Sequence, residues 1–138
     1  MNNSGNDSAK AARSKILVLG ATGGTGRLIV SQALGRGHQV TALVRSPEKA
    51  SELKGAKLIV GDVRDEKTLR EALKGQDAVV SALGTLASPL REVTLLSTAT
   101  RALVNAMNAE HVSRLVCITG IGAGDSAGHG GFLFDNVI

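Results

Sequence analysis

The sequence predicts an α/β protein built on a doubly wound parallel sheet with strand order 3-2-1-4-5. Three observations carry this expectation. Five short apolar runs alternate with helix-forming stretches in the order β-α-β-α-β-α-β-α-β. The runs are continuously apolar rather than alternating, the pattern of strands covered on both faces. Right-handed crossovers between such strands then favour helices on the two sides of one open sheet.

Residues 15–20 (KILVLG) form an apolar run closed by glycine, the first strand. Residues 25–34 follow as a helix, with Leu28, Ile29, Ala33 and Leu34 at helical spacing and Gly35 and Gly37 at its end. Residues 38–44 (HQVTALV) are rich in β-formers. Ser46 then serves as an N-cap and Pro47 as a first-turn proline for a short helix. Residues 56–62 (AKLIVGD) are the third strand. Residues 65–75 are helical, capped by Asp65, with Leu69, Ala72 and Leu73 inward and Gly75 as the stop. Residues 77–84 (DAVVSALG) make the fourth strand. After a loop holding Pro89, an amphipathic helix spans 91–109, its stripe formed by Val93, Leu96, Leu103, Val104 and Met107. Residues 113–120 (SRLVCITG) are the fifth strand. From Ile121 the pattern gives way to the glycine-rich GIGAGDSAGHGG and then FLFDNVI.

A chain of 138 residues fits one domain, here assigned to 15–138. The polar residues 1–14 lack an apolar segment of signal-peptide type and read as a disordered tail. No apolar run approaches the ~20 residues that cross a bilayer, so no membrane association is expected. The lone Cys117 has no disulfide partner. It reads as a small buried hydrophobe in a reducing compartment, which places the chain in the cytoplasm. The net charge of +4 comes from basic residues scattered among acids. With no Trp or Tyr and only Phe132 and Phe134, base-stacking platforms are missing, and nucleic-acid binding is not expected. The mild positive balance suits an anionic small molecule instead. No Cys/His group has metal-ligand spacing, so no metal is expected.

The stretch from Gly20 to Gly26 (GATGGTG) joins the first strand to the first helix. Glycines at such a joint let backbone N–H groups and a helix N-terminus converge on an anion. The loop lacks the Lys-Ser/Thr pair of a nucleoside-triphosphate loop. Its spacing, Gly20-x-x-Gly23-x-x-Gly26, is one residue longer in the first turn than G-x-G-x-x-G. A plain strand-to-helix connection is the alternative. The place of the loop in the first βαβ unit favours phosphate, with Gly20, Thr22, Gly23, Gly24, Thr25 and Gly26 as candidate contacts.

GATGGTG after ILVL resembles the atypical branch of the short-chain dehydrogenase/reductase superfamily. More narrowly it is similar to the NAD(P)H-binding proteins grouped with NmrA-like regulators and flavin/biliverdin-IXβ reductases. ALVRSPEK, GDVRD, DAVVSALGT and VCITG continue the resemblance in order to about residue 120. It implies a Rossmann-type domain and a dinucleotide cofactor. An acid at the end of the second strand would hold a ribose diol, whereas an Arg there accommodates a 2′-phosphate. This sequence has Arg45 followed by Ser46, so NADP is expected over NAD. A solvated charge at a strand end is the alternative for Arg45. The resemblance also sets Asp62 and Val63 near adenine, Ala82, Leu83 and Gly84 beneath the adenosine ribose, and Thr119 toward the nicotinamide. A turn cap is the alternative for Asp62, and a core threonine is the alternative for Thr119.

The Tyr-x-x-x-Lys pair of many superfamily members is absent. The chain has no tyrosine, and Phe134 and Ile138 stand about where the pair would fall. His129, four residues after Asp125, is either an acid–base candidate or an exposed loop histidine. His38 and His111 read as surface residues. Catalytic residues are therefore unassigned. Two functions follow from the resemblance: an NADPH-dependent oxidoreductase acting on an unidentified small molecule, or a non-catalytic NADP-binding redox sensor acting through a protein partner. The resemblance further implies a domain incomplete at its C-terminus, with the fifth strand an exposed edge open to self-association.

Overall fold

The computed structural model describes residues 12–84 and 92–118. In chain order the elements are β1 (Lys15–Leu19), α1 (Gly24–Gly35), β2 (Gln39–Val44), a 3-10 turn (Pro47–Ala50), β3 (Lys57–Val60), α2 (Glu66–Leu73), β4 (Ala78–Ser81), α3 (Glu92–Ala109) and β5 (Leu115–Cys117). The five strands pair in parallel in the order β3-β2-β1-β4-β5. This is the Rossmann-type α/β sheet that the sequence predicts.

Side chains leave each strand on alternate faces, so one apolar run feeds two cores. Leu17, Leu19, Leu43 and Val79 pack with Leu69 and Leu73 of α2 and Leu103 and Met107 of α3. Val18, Val40, Ala42 and Val44 pack on the other side with Val30 and Ala33 of α1, and with Ala50 and Leu53. Double coverage explains the unbroken hydrophobic runs of β1 and β2.

The strands are shorter than their apolar runs. Residues after the last ladder position continue by single bonds, Gly61 N–H to Val44 O (2.9 Å) and Ala82 N–H to Leu19 O (2.9 Å), and then turn away. Those departing residues are the ones left to form a site. Two helical stripes also differ from expectation. In α1 the buried positions are Gly26, Val30 and Ala33, while Leu28 is 63% exposed. In α3 the inward row is Ala99, Ala102, Leu103, Ala106 and Met107, and Val104 lies largely exposed. Ala33, Leu103 and Met107 point inward as expected, but small residues carry the rest of both faces because helix and sheet backbones approach closely. Cys117 is exposed rather than buried, because β5 is an edge strand of the described sheet. His38 is half-buried, its Nδ1 accepting the Ser14 N–H at 3.1 Å.

Two helices end in the same way. After α1, Gly37 takes φ +85° while His38 N–H bonds Ala33 O at 3.0 Å. After α3, His111 takes φ +57° while Val112 N–H bonds Met107 O at 2.9 Å and the Val112 side chain is buried. Both are left-handed helix stops, a conformation that glycine adopts freely and histidine does not. His111→Gly is therefore expected to raise stability by about 1 kcal/mol in urea unfolding; a lower midpoint would show that the histidine ring supplies more than the strain removes.

Candidate functional site

The site begins where β1 stops. Gly20 turns at φ +73°, and the Gly23 N–H closes back on Gly20 O at 3.2 Å. A Cβ on Gly20 would lie 2.6 Å from Ala82 O, and one on Gly26 would lie 2.0 Å from Gly20 O. These two glycines are thus required by the protein's own backbones, one by the chain leaving β4 and one by the seating of α1 on β1. Both glycines have a packing reason of their own beside their place among the candidate contacts. Gly23 differs: its φ of −74° suits any residue, and a Cβ would make only an ordinary 3.5 Å contact. Gly24 has open space at the same position. Glycine at 23 and 24 leaves backbone bare toward solvent.

That bare backbone opens α1. The first-turn N–H groups of a helix have no intrahelical acceptor. At α1 no side chain caps them and no acid lies in the first turn. At α2, by contrast, Asp65 accepts from Lys67 N–H and Glu66 follows. The start of α1 therefore keeps its positive dipole end and its donors available for an anion.

In front of this turn lies a cleft of about 260 Å³. Gly20, Thr22 and Gly23 form one wall, and Arg45 stands at the end of β2. Asp62 and Val63 come from the loop after β3, and Ala82, Leu83 and Gly84 from the loop after β4. All lie beyond the carboxyl ends of the strands, where the order reverses between β1 and β4, the usual crevice of open α/β sheets. Of the other expected contacts, Gly24 and Thr25 are exposed on the first turn of α1 and Gly26 is buried beneath it. Thr119 lies outside the described residues, as do Asp125, His129, Phe134 and Ile138. Leu43, Val44 and Gly61 also line the cleft without having been singled out in the sequence.

Thr22 and Arg45 form a shared wall with a second hollow of about 380 Å³, completed by Ser46 and Lys49. The Ser46 hydroxyl makes no capping bond, since Pro47–Ala50 is a 3-10 turn rather than an α-helix. Lys49 was missed by sequence reasoning. Its signal was a cation four residues after Arg45 across a proline-started turn, which folds back on itself.

Asp62 is already engaged. Its Oδ1 accepts the Arg64 N–H at 2.8 Å, and both oxygens accept from the Arg64 guanidinium, with Nη2–Oδ2 at 2.6 Å. The turn-capping role left open by the sequence is thus present. Hydrogen bonds from Arg64, aided by the charges of Arg64 and Arg45, lower the Asp62 pKa to about 2. The depressed value gives a stabilising term that is present above the ordinary carboxylate range and fades as pH falls toward 2. The term is small, because the Asp62 side chain is 36% exposed and solvent screens the pair. Among the described residues no group of His, Cys, Asp and Glu has the geometry of a metal site, and no helix is long and apolar enough to cross a membrane.

A protein-family model described as NAD(P)H-binding matches residues 20–137. The chain is similar to the isoflavone reductase homolog IRL of Zea mays, 43% identical over 84 residues, which cover 54% of this chain and 27% of that protein. It is also similar to the photosystem II assembly factor Ycf39 of Synechocystis sp., 47% identical over 70 residues, or 49% of this chain and 22% of that protein. The matched region spans about a quarter of the length of these curated relatives. Among solved structures, a short-chain dehydrogenase/reductase superfamily protein from Agrobacterium tumefaciens with bound NAD aligns at TM-score 0.62. It shares 27% identity over 75% of this chain and 31% of that one.

Arg64→Ala, which removes the guanidinium but keeps the backbone N–H bond, is expected to raise the Asp62 titration from about 2 toward the ordinary carboxylate range, followed by carboxyl carbon-13 shifts. An unchanged midpoint would mean that another group holds the charge.

Proposed function

The chain belongs to the NAD(P)H-binding family, and from that premise we propose that it is the cofactor domain of an NADPH-dependent oxidoreductase. The observation that carries the choice of NADPH is the hollow beside the cleft. Its walls are Thr22, Arg45, Ser46 and Lys49, two cations and two hydroxyls with no carboxylate. A ribose 2′-phosphate suits such a wall: a guanidinium donates paired, charge-assisted bonds and an ammonium adds a point charge. An acid in the place of Arg45 would select the free diol instead.

The remaining roles follow from position. Gly20 and Gly23, with the N-terminus of α1, receive the pyrophosphate. Val63 and Asp62 border the adenine, Asp62 sharing its carboxylate with Arg64. Ala82, Leu83 and Gly84 support the adenosine ribose; the nicotinamide side falls to Thr119 on the sequence resemblance alone. The bound nicotinamide supplies the hydride; the chain's own residues bind it and fix its orientation. The 138 residues hold no tyrosine, so no phenolic proton donor is assigned within them.

A second reading keeps the binding and drops the chemistry: an NADP-binding sensor that acts through a protein partner. The Ycf39 relative, an assembly factor by name, gives it a precedent. Turnover of NADPH with flavin or quinone acceptors separates the two, since a sensor binds without oxidising.

Wild-type protein is expected to bind NADPH at least about tenfold more tightly than NADH, the scale of one charge-assisted pair. Arg45→Asp is expected to abolish that preference. Calorimetric titration of both cofactors measures it; equal affinities in wild type would remove the argument from Arg45.

A further inference from the structure

The pyrophosphate turn contains one peptide whose direction matters more than the rest. Between Thr22 and Gly23, the N–H points to Gly20 O at 3.2 Å and the C=O points the other way. The Thr22 oxygen accepts the Arg27 Nε–H at 3.0 Å. Arg27 lies just after Gly26 in the first turn of α1, and its guanidinium also pairs with Glu52. Glu52 follows the Pro47–Ala50 turn that carries Lys49. One side chain thus bridges the glycine turn to the segment behind the second hollow.

We propose that Arg27 is a positioning residue for the dinucleotide, holding the Thr22–Gly23 peptide in the orientation that closes the glycine turn through the Gly23–Gly20 bond. This rests on the reading of that cleft as the dinucleotide site. Thr22 lines both the cleft and the hollow. If its peptide flipped, its carbonyl would face the Gly20 carbonyl, the Gly23–Gly20 bond would be lost, and the turn that walls the cleft would change shape. Arg27 resists the flip through a charge-assisted bond to the carbonyl. It does not act as a phosphate ligand, because it lines neither concavity and its charge is balanced by Glu52. The ion pair by itself contributes little to folding, since its side chains are 41% and 67% exposed. Its consequence lies in the aim of a peptide, not in stability.

The test compares NADPH with adenosine, which has no pyrophosphate, on the full 138-residue chain. In Arg27→Ala, NADPH affinity is expected to fall about tenfold, the scale of one hydrogen bond to a charged group. Adenosine affinity is expected to stay within about twofold, with little change in melting temperature. Arg27→Lys, which keeps one donor, is expected to fall between Arg27→Ala and wild type. NADPH affinity unchanged in Arg27→Ala would overturn the proposal, as would an equal loss for adenosine, the sign of general distortion. Wild-type protein that binds no dinucleotide would instead overturn the functional reading and this proposal with it.

Discussion

Where β1 leaves the sheet, its backbone is held between two others. The carbonyl of Gly20 lies beneath Gly26 so closely that no side-chain atom fits there, and a side chain on Gly20 would meet the carbonyl of Ala82. The first contact seats α1 on β1; the second sets the loop after β4 against the glycine turn. Fixing these approaches fixes the mouth of the cleft, because its opposite walls are the segments in contact. The sheet behind them is held by burial on both faces, and its register brings Val44, Val60 and Ser81 to the same end.

Charge is arranged unevenly over that frame. α2 begins with an aspartate cap and a glutamate, which complement its dipole internally. α1 begins with bare glycine backbone and no acid, so its dipole remains directed at the cleft. Arg45 and Lys49 stand to one side. The acid nearest the opening, Asp62, is bound to Arg64 and contributes less free negative charge than its sequence position suggests. The result is a concavity that favours an anionic ligand without a single cation dominating it.

The sheet order was legible because five apolar runs, punctuated by glycine, alternate with helix-forming stretches. The glycine turn was legible because its spacing sits between a strand and a helix. Contacts between segments distant in sequence were not. Lys49 joins Arg45 only once a 3-10 turn forms, and Arg27 reaches Thr22 only once Gly26 lets α1 settle. Leu28 and Val104 were assigned inward on hydrophobicity, whereas glycine and alanine occupy much of the close helix–sheet contact. For Asp62, GDVRD left a ligand contact and a turn cap both open; the cap forms because the same motif supplies Arg64 two residues later.

The central claim is that the glycines of this turn divide between those the fold requires and those a ligand requires. Urea unfolding and NADPH titration of Gly26→Ala and Gly23→Ala test it directly. Gly26→Ala is expected to lose at least about 2 kcal/mol of stability without any ligand. Gly23→Ala is expected to remain within about 1 kcal/mol of wild type while losing NADPH affinity about tenfold. A stable Gly26→Ala protein, or a Gly23→Ala protein that binds NADPH as wild type does, would contradict the account.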